Sequence, residues 1–321
     1  MSKRSFQPTE IIFAATNACN LHCEHCFIER NPHKLEIADA IALLESCVEA
    51  GSAIDRIGFS GGEPFLYMDF LLEVTKAAIA RDFMFDQIMT NGDWWRDETD
   101  LRDTLQKLYD AGYDGKIGLS WDSYHGQSAP RMEKFIRAVQ EIFGEDAVNI
   151  QTVDSTEGGS LPLAPEAVVS TGSTTASSAT PTAGDTPATP PDIPVYHLPR
   201  TYTSNDKRAW QSRRWFHEDY CEGPGHILYV HADGNIAPCC GFANENPALF
   251  IGRITDSYET IMKNAAENQM VKICYEEGLS HYRRHGLKKI LRAKKEKLPG
   301  RTADICTFCD YVCKKINYTS I

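Results

Sequence analysis

The stretch EIIFAATNACNLHCEHC, residues 10–26, joins a short apolar run to three closely spaced cysteines. The run at 10–16 predicts a buried strand, because it is short and apolar. Cys19, Cys23 and Cys26 follow it with the spacing C-x3-C-x2-C. Since α/β folds bind ligands in the loops at the carboxyl ends of their parallel strands, this loop is a candidate ligand site.

Thiols crowded in this way are typical of a metal centre, and two kinds of centre fit the residues. Three thiolates in a short loop suit three irons of a cubane iron–sulfur cluster. A structural zinc site needs four protein ligands, and His22 and His25 are the nearest candidates for the fourth. The residues alone leave both centres open.

The first half of the chain alternates strands and helices. Short apolar runs are followed by segments with helical periodicity, several of which are closed by glycine. Repeated βαβ units predict a parallel sheet with right-handed crossovers, either open and doubly wound or curled into a barrel. The predicted strands lie at 10–16, 56–60, 85–90, 116–122, 147–153 and 193–204, and the helices at 35–51, 64–82, 97–112 and 131–144.

Composition divides the 321 residues into two parts. The segment 155–192 is rich in Ser, Thr, Pro, Ala and Gly and has no apolar period, which predicts a disordered loop or linker. We expect a first domain at 1–204 and a small cysteine-rich α+β domain at 205–321. Within the second, 226–240 predicts two short strands around a tight turn.

Charge and hydropathy exclude several classes of protein. The formal net charge of −11 divides into +8 on segment 281–301 and −19 elsewhere, which disfavours a nucleic-acid partner. The basic segment is either a solvated helix face or a surface for an acidic partner. Charges and prolines interrupt every apolar run and the N-terminus lacks a secretory signal, so we expect no membrane span and a cytoplasmic location.

Eleven cysteines in a reducing compartment indicate metal binding rather than disulfides. Cys47 and Cys274 stand alone in helical patterns, and we interpret them as small buried hydrophobic residues. The other thiols outside the first loop form a second group: Cys221, Cys239, Cys240, Cys306, Cys309 and Cys313.

The cysteine loop resembles the signature of the radical S-adenosylmethionine (radical SAM) superfamily. Gly61-Gly62-Glu63-Pro64 follows the second strand and is similar to the GGEP motif of that family. The resemblance implies a partial (β/α)6 barrel and a [4Fe–4S] cluster whose fourth iron binds S-adenosylmethionine, with the GGEP glycines and Glu63 holding the amino group. The family usually has an aromatic residue where this chain has His25, whose planar ring can also lie against adenine.

The resemblance also implies cofactor contacts at the ends of later strands. Asn91 lies in a turn that the family places near the cofactor. Ser120 and Asp122 end the fourth strand, where the family often positions polar groups on the ribose. Gln151 and Asp154 on the fifth strand are candidates for the same role.

The later cysteines resemble the SPASM extension, an auxiliary iron–sulfur domain of radical SAM enzymes. In ADGNIAPC, residues 232–239, Gly234 permits a tight turn that returns Cys239 toward Cys221. One cysteine of the full pattern is missing, so a shortened, single-cluster twitch domain fits better than two clusters. A zinc ribbon is the structural alternative. The implied ligands are Cys221, Cys239, Cys306, Cys309 and Cys313.

The resemblance implies reductive cleavage of S-adenosylmethionine to a 5′-deoxyadenosyl radical, which removes a hydrogen atom from the substrate. Family members with such extensions often act on peptides, so we expect epimerisation, cross-linking or oxidation of a peptide residue. Cys240 is the candidate thiol for returning a hydrogen atom. The alternatives are a radical SAM enzyme acting on a small molecule or nucleotide, and a non-enzymatic zinc or iron–sulfur protein.

The expected partners follow from this reaction. An electron donor such as flavodoxin or ferredoxin would reduce the cluster. About nine residues precede the first strand, so a peptide-recognition domain would be a separate protein. The acidic leader of a precursor peptide would suit the basic segment 281–301.

Overall fold

A nine-stranded sheet forms the centre of the computed structural model, which describes residues 5–153 and 193–316. The low-complexity segment 155–192 and Asp154 lie outside the described residues. The strands are β1 (Glu10–Ala14), β2 (Arg56–Ser60), β3 (Met84–Thr90), β4 (Lys116–Ser120), β5 (Val148–Val153), β6 (Val195–Leu198), β7 (Gly225–Val230), β8 (Asn235–Cys239) and β9 (Gly252–Arg253). Their order across the sheet is β6-β5-β4-β3-β2-β1-β7-β8-β9.

The helices fall into a group that alternates with strands and a C-terminal group. The first group is α1 (Ile37–Glu49), α2 (Met68–Ile79), α3 (Glu98–Asp110) and α4 (Ala129–Phe143). The second is α5 (Tyr258–Glu267), α6 (Gln269–Val271), which continues into a π-helical turn at Lys272–Glu277, α7 (Leu279–Arg284), α8 (Gly286–Ala293) and α9 (Ile305–Lys315). Short 3-10 turns lie at Pro64–Tyr67, Glu145–Ala147, Lys207–Trp210, Phe242–Glu245 and Pro247–Leu249. In the described part of the chain, no helix is both long and apolar enough to span a bilayer.

The first six strands are parallel, and each pairs with its neighbours in chain order. This confirms the predicted parallel sheet and its partial-barrel architecture. The strand order begins at β6 and ends at β9, so the sheet remains an open barrel over the described residues. Its concave face forms a lumen. One opening of the lumen lies at the carboxyl ends of the strands.

Alternation along each strand separates the core from the lumen. In β1, Ile11 and Phe13 are fully buried in the hydrophobic core, where the helices cover the sheet. Glu10 and Ile12 alternate with them and face the lumen. On β1 the lumen therefore receives every second residue.

The predicted hairpin at 226–240 is present as β7 and β8, with Gly234 in the left-handed region at φ +85°. β7 pairs parallel to β1 on the side opposite β2, which gives β1 two neighbours and leaves it no open edge. The sheet thus continues across the boundary expected at residue 204. The C-terminal cysteines consequently lie against the barrel wall beside the first strand.

Candidate active site

The cysteine loop and the carboxyl ends of β2, β3 and β4 enclose a cavity of about 240 Å3. The loop is held at both ends, because Thr16 bridges Lys34 and the Leu35 amide donates to the Ala15 carbonyl at 3.0 Å. All three predicted cysteines line the cavity. The lining is Asn17, Cys19, Cys23, His25, Cys26, Ile28, Arg30, Ser60, Gly61, Gly62, Met89, Thr90, Asn91, Ser120 and His125.

Gly61 and Gly62 let the cysteine loop pack directly on the end of β2. A Cβ at Gly62 would lie 2.3 Å from the Ala18 carbonyl oxygen, and one at Gly61 would lie 2.5 Å from that of Thr16. The Gly62 amide donates to Thr16 O at 2.7 Å, and the Glu63 amide donates to Ala18 O at 2.8 Å. The two glycines therefore fix the position of the cysteines in addition to lining the cavity.

Glu63 is fully buried and does not line the cavity. One carboxylate oxygen accepts from the Phe65 amide at 3.1 Å and from Thr90 Oγ1 at 2.8 Å, and the other accepts from the Asn91 amide at 2.8 Å. Burial raises the pKa of Glu63 to about 7, against the effect of these hydrogen bonds. The carboxylate thus ties β2 to β3, with Pro64 starting the turn that follows, and the amino-group contact expected of this motif stays a prediction.

Asn91 contacts the cysteine loop from the end of β3. Its Nδ2 lies 3.7 Å from Cys19 Sγ and donates to Asn20 Oδ1 at 2.9 Å. The residue is buried and lines the cavity, and its expected position near the cofactor stays a prediction. An amide N–H beside a thiolate stabilises its negative charge.

Asp122 is buried just after β4, and its oxygens are occupied by the chain itself. Oδ1 accepts from the Tyr124 amide at 2.9 Å and pairs with His125 Nδ1 at 2.7 Å, while Oδ2 accepts from the Val153 amide at 3.2 Å. Burial raises the pKa of Asp122, but the hydrogen bond from His125 and the backbone donors outweigh it, so the pKa is lowered. The expected ribose contact of Asp122 stays a prediction.

His125 links Asp122 to the cysteine loop. Its ring hydrogen-bonds Cys23 as well as Asp122, and it lies 4.8 Å from the ring of His25 in an edge-on arrangement. Burial lowers the pKa of His125, but the bonds to Asp122 and Cys23 raise it to about 9 overall. Sequence reasoning missed this residue, although its position three residues after Asp122 was the available signal.

Ser120 and Gln151, the two remaining residues predicted to contact the cofactor, lie at different depths in the barrel. Ser120 lines the cavity at the end of β4, and its expected ribose contact stays a prediction. Gln151 pairs with Ser120 in the sheet, and its Nε2 lies 3.5 Å from Gln87 Oε1 on the wall of the lumen. Gln151 is therefore placed to face a substrate below the cavity, and its expected ribose contact stays a prediction.

A second cavity, of about 20 Å3, lies between β8, the π-helical turn and α9. Four of the five predicted auxiliary ligands line it, together with a thiol that the sequence analysis had assigned to the core. The thiols of the lining are Cys221, Cys239, Cys274, Cys306 and Cys309.

Cys274 is buried, as predicted, but it belongs to this thiol group. Its Sγ lies 3.8 Å from Cys309 Sγ, and it also hydrogen-bonds Cys221. The π-helical turn shifts the residue away from the position that helical periodicity predicts. Cys313 is absent from the lining and contacts Cys309 from the next turn of α9. Its expected ligand role therefore stays a prediction, with Cys274 as a competitor.

The spacing of the thiols favours clusters over zinc. Tetrahedral zinc with bonds of about 2.3 Å brings its ligand atoms to within about 4 Å of one another. In the described part of the chain, the one group of three or more His, Cys, Asp or Glu ligand atoms within 4.8 Å of each other is His25, Asp122 and His125. No three thiols of the described residues meet that limit, although Cys274 Sγ and Cys309 Sγ do so as a pair at 3.8 Å. The absence of such a trio fits the wider spacing that separate irons of a cubane require.

Cys240 follows β8 directly, is exposed, and does not line the auxiliary cavity. Its side chain is accessible, yet enough protein surrounds it that burial, reinforced by the charges of Glu10 and Asp86, raises the pKa of the thiol to about 11. Tyr229 on β7 hydrogen-bonds Ser60 and lies within electrostatic range of both Cys240 and Cys26. Tyr229 thus has Cys240 and one thiol of the cysteine loop in its electrostatic surroundings.

Comparison with known proteins gives a family match and two related sequences. Residues 14–143 match the model of the Radical SAM superfamily. GTP 3',8-cyclase of Chlorobaculum tepidum is 36% identical over 152 residues, which are 43% of this chain and 42% of the cyclase, so the match spans less than half of that protein. The "Putative peptide biosynthesis protein YydG" of Bacillus subtilis is 22% identical over 317 residues, 94% of this chain and 91% of that protein.

A solved structure also aligns with most of the chain. Native anSMEcpe with bound AdoMet and Cp18Cys peptide covers 82% of this chain and 83% of its own, at 14% identity and a TM-score of 0.49.

Proposed function

We propose that this chain, whose residues 14–143 match the Radical SAM superfamily, is a radical SAM enzyme that inverts the stereochemistry of a residue in a peptide substrate. Its cofactors are a [4Fe–4S] cluster and S-adenosylmethionine, with an auxiliary iron–sulfur site among the C-terminal cysteines. The peptide substrate is supported by likeness along nearly the whole chain to a protein named for peptide biosynthesis.

The cavity fits the first two cofactors. Three soft sulfur donors share it with the glycine backbone at Gly61 and Gly62, and this combination suits a cluster with an open iron facing a small polar ligand. When bound and reduced, the pair supplies a 5′-deoxyadenosyl radical that takes a hydrogen atom from a substrate C–H bond. Cys19, Cys23 and Cys26 would hold the cluster, and Asn91 and His125 would hydrogen-bond two of these sulfurs.

The protonation and exposure of Cys240 favour inversion over the other reactions that a substrate radical can undergo. A hydrogen-atom donor must carry its hydrogen, and a thiol with a pKa of about 11 remains S–H at neutral pH. The Cys240 side chain is exposed and, like Cys26 of the cysteine loop, lies within electrostatic range of Tyr229. It can therefore approach a substrate from a direction other than that of the attacking radical.

The atoms and electrons of this reaction balance. The substrate Cα–H bond breaks and its hydrogen leaves with 5′-deoxyadenosine. The Cys240 S–H bond then breaks, and its hydrogen bonds to Cα from the opposite face. The resulting sulfur radical takes one electron from an iron–sulfur or flavin donor, such as ferredoxin or flavodoxin, and one proton from solvent. A separate peptide-recognition protein would present the substrate.

The proposal is tested with anaerobically reconstituted protein in D2O containing S-adenosylmethionine, dithionite and pooled synthetic peptides. We expect 5′-deoxyadenosine, together with a peptide that gains one deuterium at an inverted residue, because the exchangeable hydrogen of Cys240 is the one transferred. Mass spectrometry and chiral amino-acid analysis detect the two changes. Parallel incubation with GTP tests a nucleotide substrate.

Two other products would overturn inversion. A peptide lighter by two hydrogens, with no deuterium at carbon, would indicate cross-linking or oxidation. Consumption of GTP with every peptide unchanged would favour the nucleotide alternative, which the partial likeness to a GTP cyclase supports.

The auxiliary ligands give a separate prediction, measured by iron content after reconstitution. Cys239→Ala is expected to lose about four irons per chain, because Cys239 lines the cavity from the β8 side. Cys313→Ala is expected to keep them, because Cys313 lies outside the lining. If Cys313→Ala loses iron and Cys274→Ala keeps its full iron, then Cys313 rather than Cys274 is the cluster ligand.

A further inference from the structure

The inner wall of the barrel below the cofactor cavity carries polar side chains that the proposed reaction leaves unused. Parallel pairing of β2 and β3 is interrupted between Ile57 and Phe59, where the register shifts by one residue. Two residues of β3, Asp86 and Gln87, consequently stand opposite Gly58 alone. Such a bulge redirects side chains, and here it brings an additional acidic residue toward the lumen.

Two glycines make room for these side chains. A Cβ at Gly58 would lie 3.1 Å from Glu10 Oε1 and 3.2 Å from the Gln87 carbonyl oxygen. A Cβ at Gly118 would lie 3.0 Å from Gln87 Oε1. Larger residues at either position would fill the space into which Glu10 and Gln87 extend.

Two oxygen atoms without a hydrogen-bond donor face the space beside these glycines. Glu10 Oε1 is buried and has no hydrogen-bond partner. Asn149 is only 8% exposed and lies on the lumen side of β5, because Val148 and Ile150 on either side of it are core residues. Its Nδ2 lies 3.3 Å from Gln87 Oε1, and its Oδ1 has no partner. A ligand that satisfies this site must donate hydrogen bonds.

The site also carries uncompensated negative charge. Within residues 5–153 and 193–316, no Lys, Arg or His side chain forms an ion pair with Glu10 or Asp86, and nearby Arg56 is paired with Asp55 at 3.3 Å. Burial raises the pKa of Glu10 to about 7, and Asp86 raises it further while Arg56 opposes the shift. A bound cation would relieve both the burial cost and the repulsion.

We propose that Glu10, Asp86 and Asn149 form a subsite for a cationic group of the substrate, an ammonium or guanidinium. Both acids lie within electrostatic range of Cys240, so a cation bound there would place the neighbouring part of the substrate beside the thiol. This proposal extends the proposed function by naming the substrate class: a peptide with Lys or Arg at or next to the modified residue. Carboxylates and an amide oxygen supply the charge-assisted acceptors that such groups require.

The subsite is tested by the binding of n-butylguanidinium chloride to the reconstituted holoenzyme. Binding is measured by isothermal titration calorimetry. The native protein is expected to bind the cation, whereas n-butanol at the same concentration is not expected to bind. Glu10→Gln, which keeps shape and removes charge, is expected to weaken binding about tenfold, the usual order for a hydrogen bond to a charged group.

Asp55→Asn is the matched control, because it removes a neighbouring acid that is exposed and already paired with Arg56. It is expected to leave the apparent affinity unchanged. Equal affinity in Glu10→Gln and native protein, or equal binding of n-butanol, would overturn the proposal. If Glu10→Gln fails to recover its iron, Asp86→Asn replaces it with the same expected weakening.

This measurement requires no S-adenosylmethionine and no turnover. Cation binding without any modified peptide would reject the proposed function and keep the subsite. Peptide modification without selective cation binding would reject the subsite and keep the proposed function.

Discussion

Cys23→Ala is expected to reduce formation of 5′-deoxyadenosine to the level seen without enzyme. Cys23 is one of three thiols that line the 240 Å3 cavity, and a cubane cluster held by two cysteines is not retained. The substitution also removes the sulfur that His125 hydrogen-bonds. Iron content after reconstitution is expected to fall by about four per chain, while the iron bound at the auxiliary site remains. Both quantities are measured on the same anaerobic sample.

Cys47→Ala is the matched control for this loss. Cys47 is fully buried in α1 and lies in neither thiol group, so its replacement removes a sulfur without touching a cofactor. We expect full iron, normal cleavage and a loss of about 1 kcal/mol in the free energy of unfolding, from the small cavity created. Normal cleavage and full iron in Cys23→Ala would show that the loop does not hold the cluster.

The parallel fold was predictable because its signals are local. Each predicted strand from 56–60 to 147–153 corresponds to an observed strand with ends shifted by at most two residues. Short apolar runs that alternate with amphipathic helices are typical of buried parallel strands. The position of β7 beside β1 was not predictable in this way, since it depends on pairing between residues more than two hundred positions apart.

The cysteine loop and the GGEP motif were also visible in the sequence, but the contacts of the motif were not. The expectation for Glu63 was a ligand contact, and the structure shows three hydrogen bonds that join β2 to β3. A motif gives the types and order of residues, whereas burial decides which atoms remain free. Glu63 is fully buried and accepts three hydrogen bonds within the protein, and its expected contact with an amino group stays a prediction.

The site contacts of Cys274 and His125 were not predicted, for different reasons. Helical periodicity around Cys274 assumes a regular helix, and the π-helical turn at Lys272–Glu277 breaks that assumption where the thiol meets Cys309. His125 stands in a loop without periodicity, so its contact with Cys23 arises only when β4 and the cysteine loop come together. The bulge that places Asp86 in the lumen is a third feature of this kind.

Cys240→Ala is expected to separate the two halves of the proposed reaction. The cavity around the cysteine loop does not include Cys240, so cleavage of S-adenosylmethionine should continue within about threefold of the native rate, a change of less than 1 kcal/mol in the barrier. The inverted peptide and its deuterium should fall to background, because no other lumen thiol carries a transferable hydrogen. 5′-Deoxyadenosine and chiral analysis of the peptide are measured in the same incubation.

Cys240→Ser distinguishes hydrogen donation from packing. The hydroxyl nearly preserves the shape of the thiol, but an O–H bond is too strong to give up its hydrogen atom to a carbon radical. If Cys240 acts as the donor, Ser and Ala lose inversion equally and keep cleavage. Inversion that persists in either variant would remove Cys240 from the mechanism. Loss of cleavage in both, with iron content intact, would instead assign the thiol to positioning S-adenosylmethionine, which its absence from the lining of the cofactor cavity argues against.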